Sequence, residues 1–136
     1  MSAQALLKFA LAVFGTVFLL VYPLAIVWPS GWAWQAGPPH DSLYFMMLVG
    51  VYATLGVFLL MAARNPQAHR SLIWFVVWSS VVHGGIMAVQ SMPAEHHRHL
   101  VRDVPAPLLV AIVLGGLLLW SDAGRGKAAS IHSPAQ

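Results

Sequence analysis

Four long uncharged stretches, set apart by short polar segments, make up the hydropathy pattern of this chain: 9–28, 43–63, 71–92 and 104–120. A helix needs about 20 apolar residues to cross about 30 Å of hydrocarbon, so each stretch predicts a transmembrane helix, the fourth near the short limit. Within 71–92 the polar side chains are not scattered. Steps of three, four and seven from His83 collect Ser79, Ser80, Met87 and Gln90, whereas Trp74, Phe75, Trp78 and Ile86 fall elsewhere. A polar stripe on an apolar helix must face other helices or a wet cavity, because an imidazole in lipid leaves its ring nitrogens unpartnered.

The first stretch begins beside Lys8 and contains Pro23, giving a span over 8–28 with a kink or early end near Tyr22. Its apolar run is longer than the 7–15 residues of a secretory signal core, so a retained helix is expected. Residues 28–42 are dense in Trp, Pro and Gly, a composition that suits an interfacial loop. The turn RNPQAHR, 64–70, is short enough to join antiparallel helices. Asp103 and Pro105 fit the start of the fourth helix as cap and first-turn residue. Residues 121–136 are small and polar, which predicts a flexible tail.

Lys8, Arg64, Arg70, Arg125 and Lys127 flank the spans on one side, and Arg98 and Arg102 on the other. The positive-inside rule then predicts cytoplasmic termini and places 28–42 and 93–103 together on the outer face. Close helix contact is expected at Gly50, Ala53, Thr54 and Gly56, at Gly84-Gly85, and at Ala111, Gly115 and Gly116.

Composition narrows the function classes. With 59% hydrophobic and 8% charged residues, the chain is far from the roughly 25% charged composition of soluble domains. It has no cysteine, which removes disulfides, thiolate metal sites and cysteine nucleophiles. The net charge of +3 forms no basic run, so nucleic acid is not an expected partner. No carboxylate lies within a span to orient His83 as the base of a nucleophile pair.

Two candidate sites remain. One is His83 with Ser79, Ser80, Met87 and Gln90, either as glue between helices or as a cofactor-binding site. A quinone needs one polar contact and an apolar slot, whereas haem needs a second axial ligand, such as Met46, Met47, Met87 or another subunit's histidine. The other candidate gathers His40, Asp41, Glu95, His96, His97 and His99 on the outer face, side chains suited to a transition metal. These residues lack the H-E-x-x-H spacing that sets two ligands and a base on one helix face, and a solvated loop is the leading reading of them.

The run from Gly50 to Gln90, GVYATLGVFLLMAARNPQAHRSLIWFVVWSSVVHGGIMAVQ, resembles a family of small bacterial four-helix inner-membrane proteins without assigned function. YPLAIVWPSGW and DVPAPLLVAIVL extend the resemblance over most of residues 5–119. In layout the chain is also similar to DoxX-like membrane proteins, some of which are subunits linked to quinone reduction. This likeness implies four helices in a bacterial membrane and fixes no active residue.

The expectation is therefore an all-α polytopic protein, an antiparallel four-transmembrane-helix bundle over residues 1–120, in the bacterial inner membrane. Its expected role is non-catalytic, as an accessory or scaffold subunit that packs against itself or a larger membrane complex. No cofactor is the leading expectation. A membrane binding protein for a quinone, lipid, haem or metal is the alternative.

Overall fold

The computed structural model describes residues 2–28, 38–92 and 104–131, with side chains as far as Gly124. Helix α1 covers Ala3–Leu19, α2 Val21–Val27, α3 Leu43–Arg64, α4 Arg70–Gln90 and α5 Pro105–Ile131, with a 3-10 turn at Pro39–Asp41. No strand occurs among the described residues. Helices α3, α4 and the Pro105–Gly124 part of α5 are long and apolar enough to cross a membrane. The α1–α2 pair passes the same test as one bent span, so the chain carries three or four such segments, as a multi-pass membrane protein does.

The helix starts have local causes. Ser2 Oγ accepts from the Ala5 N–H at 3.2 Å, and Ser42 Oγ accepts from the Phe45 N–H at 3.2 Å. Each hydroxyl satisfies a first-turn donor that has no partner inside its helix. Pro105 opens α5, where its missing N–H costs least. The first span bends by 57° between α1 and α2. The bend falls at Leu20, slightly before the Tyr22 position expected from the sequence, because a proline disturbs the turn preceding it. Leu20 N–H shares its bond between Thr16 and Val17 carbonyls at 3.0 and 3.1 Å, closing α1 before Pro23.

Helix α1 packs against both α3 and α5, and α4 packs against α5, whereas α3 and α4 barely touch despite being joined by a short turn. The contacting pairs run antiparallel. Gly15 meets Gly56 while Phe18 meets Tyr52, and Gly84 meets Leu108 while Arg70 pairs with Asp122. The larger core cluster joins Leu7 and Leu11 of α1, Leu59 and Ala62 of α3, Ile73 and Val76 of α4, and Leu114 and Leu118 of α5. It lies toward the end of the molecule that holds the α3–α4 turn. Toward the other end a small cluster of Val21, Ala25 and Phe45 seats α2 on α3, and no α4 residue joins it.

Glycine fixes how closely α1 and α3 cross. A Cβ on Gly56 would sit 2.7 Å from the Gly15 carbonyl oxygen and 3.0 Å from the Leu19 nitrogen. Those neighbours are backbone and cannot yield. A Cβ on Gly84 would lie 2.9 Å from the Leu108 side chain, so this glycine sets the α4–α5 approach. Gly50, Gly85 and Gly116, expected to serve likewise, face open space.

The sequence pattern ends the fourth helix at Trp120, with a flexible tail from Ser121. In the structure α5 continues past that point to Ile131. No proline interrupts the segment, and its first residues dock on the α3–α4 turn. Arg70 Nη1 donates to Asp122 Oδ1, and Gln67 Nε2 donates to Ser121 Oγ at 3.4 Å. Pro66, in the same turn, is fully buried.

Candidate functional site

His83 lies on α4 about 10 Å from its Gln90 end, and Tyr52 on α3 about 13 Å from its Leu43 end, at a helical rise of 1.5 Å per residue. Antiparallel helices at this offset bring the two rings together. Their centroids are 6.5 Å apart and their planes meet at 89°, an edge-to-face contact. Tyr52 in turn meets Phe18 of α1, with centroids 5.0 Å apart and planes at 71°. The three rings thus bridge α1, α3 and α4, where α3 and α4 otherwise make little contact.

The rest of the expected stripe does not converge on His83. Ser79 Oγ donates to the Val76 carbonyl of its own helix at 3.1 Å. Ser80 is buried, Met87 is half-buried and Gln90 is exposed. The buried side of α4 runs through Ile73, Val76, Val77, Ser80 and Gly84, which places His83 at the edge of that face nearest α3. No described residue hydrogen-bonds to the His83 nitrogens or the Tyr52 hydroxyl. These polar atoms also remain reachable, because Gln67 Oε1 alone among the described side chains is a sealed polar atom without a partner.

Two shallow depressions lie on the surfaces of α3 and α4, and neither Tyr52 nor His83 lines them. One runs along α3 past Met47, Gly50, Val51, Thr54 and Phe58, and reaches α4 at Leu72 and Phe75. The other lies on the outward face of α4, with Gly85 bordered by Val82, Ile86, Val89 and Gln90. Both are lined almost wholly by apolar atoms.

Of the expected metal ligands, Glu95, His96, His97 and His99 lie outside the described residues. His40 and Asp41 occupy the 3-10 turn, with Nε2 and Oδ1 3.4 Å apart and both side chains exposed. Among the described residues no three histidine or acidic side chains gather as a metal site.

Tyr52 is the residue that the stripe argument on α4 could not supply. Its signal was a phenol deep within an otherwise apolar span, a polar tip that needs a partner. Gln67 and Asp122 are also absent from that argument, because each sits in a segment that reads as turn or tail.

No curated protein and no solved structure matches the chain. A family model does match, over residues 1–132. The chain therefore belongs to a family of unknown function, DUF6632.

Proposed function

We propose that this chain is a non-catalytic integral membrane protein, an accessory or scaffold subunit that associates laterally with a second copy or with a larger membrane assembly. One observation carries the reading. Gly84 and Gly85 are neighbours with opposite uses: Gly84 faces Leu108 within the chain, whereas Gly85 faces outward with nothing within 4 Å. An outward glycine in a shallow apolar depression lets another backbone come close, and close approach drives helix association in lipid. In this reading the chain crosses a bacterial inner membrane as a four-span antiparallel bundle. The Lys and Arg count supports cytoplasmic termini.

The test is chemical crosslinking in native membranes with Gly85→Leu beside wild type. A Cβ at Gly85 meets nothing within 4 Å among the described residues, so folding and expression are expected to persist while the crosslinked species is lost. A crosslinked species unchanged by Gly85→Leu, or no crosslinked species from the wild-type protein, would remove the basis for the reading.

A further inference from the structure

We infer that His83 and Tyr52 form a binding site for a membrane-soluble amphiphile with a carbonyl head group and a long apolar chain. An unsatisfied polar group in hydrocarbon costs several kcal/mol, so a phenol and an imidazole without hydrogen-bond partners among the described residues are a standing demand for one. Both groups lie well inside helices of membrane-crossing length, and both are reachable. Either can donate: Tyr52 through its hydroxyl and a neutral His83 through whichever nitrogen carries the proton. A carbonyl oxygen, with two lone pairs and no donor of its own, is the head group that accepts from both.

The apolar chain has a place to lie. Val51 and Leu55 flank Tyr52 along α3 and line the groove that continues past Thr54 and Phe58 to Phe75 of α4. The groove reaches α4 at Leu72 and Phe75, and Ser79 and His83 follow Phe75 on the next two turns of that helix. The Ser79 hydroxyl is engaged by its own backbone and does not compete for the head group. Because α3 and α4 barely touch, such a molecule can enter sideways from the bilayer without disturbing the core.

The probe is a benzoquinone carrying a decyl chain, a carbonyl amphiphile whose binding is read by quenching of tryptophan fluorescence, with Trp74 and Trp78 on α4 nearby. His83→Phe preserves the ring contact with Tyr52 and removes the nitrogens, and Tyr52→Phe removes only the hydroxyl. Each is expected to weaken the probe about tenfold, the effect of about one hydrogen bond, with thermal stability close to wild type. Gly50→Leu, which fills the groove where no atom lies within 4 Å, is expected to weaken it as well. In competition, 2-tridecanone should displace the probe and tridecane should not. Equal affinity in wild type, His83→Phe and Tyr52→Phe, or equal displacement by the hydrocarbon, would overturn the inference. Gly85→Leu should leave probe binding intact, so the site and the lateral contact fail or stand separately.

Discussion

Three glycines, Gly56, Gly84 and Gly85, and one histidine, His83, carry most of what is specific to this molecule. Gly56 is enclosed by backbone of α1, so Gly56→Ala forces the α1–α3 crossing apart and is expected to cost about 1–3 kcal/mol, the range for overpacking a tight contact. Thermal unfolding in detergent checks it, with Gly116→Ala as an open-space control expected to change little. His83→Ala removes the Tyr52 ring contact and should lower stability by about 0.5–1.5 kcal/mol, whereas His83→Phe should recover most of that loss. The polar stripe was legible from the sequence as a helical face, and His83 does reach a neighbouring helix. Its partner was not legible, because periodicity along α4 says nothing about which α3 residue stands at the same height. The glycines were legible as a set, but sequence spacing cannot distinguish Gly84, turned inward, from Gly85, turned outward.

At the element scale, the apolar stretches marked the helices well because uninterrupted hydrophobicity and length are strong signals. The ends were harder. Residues 121–131 read as a polar tail, yet they continue α5 and dock on the α3–α4 turn through Asp122 and Ser121. Polar composition argued against a membrane span there and was silent about helix beyond it. The docking predicts energetic coupling: Arg70→Gln and Asp122→Asn should each lower the unfolding temperature, and the double variant should fall no further than the weaker single one. Independent, additive losses would show that the pair contributes nothing as a pair. Pro23 makes a second prediction. With Pro23→Ala the Leu19 carbonyl regains a donor, so the 57° bend should relax and spin labels at residues 8 and 28 should move apart. An unchanged separation would assign the bend to packing of α2 on Phe45.

For the molecule as a whole, the packing order explains why one side stays open. Helix α1 sits between α3 and α5, and α5 holds α4, so α3 and α4 meet mainly near their turn, through the shared core cluster, and at the Tyr52–His83 contact. The outward face of α4 bears Gly85, the face proposed to meet another chain. Native mass spectrometry of the protein released gently from its own membrane reports this association. The expected mass equals a whole-number multiple of the chain, or the chain plus a second protein, and reverts to the single chain in Gly85→Leu. A single-chain mass for the wild-type protein, with its fold intact, would contradict it.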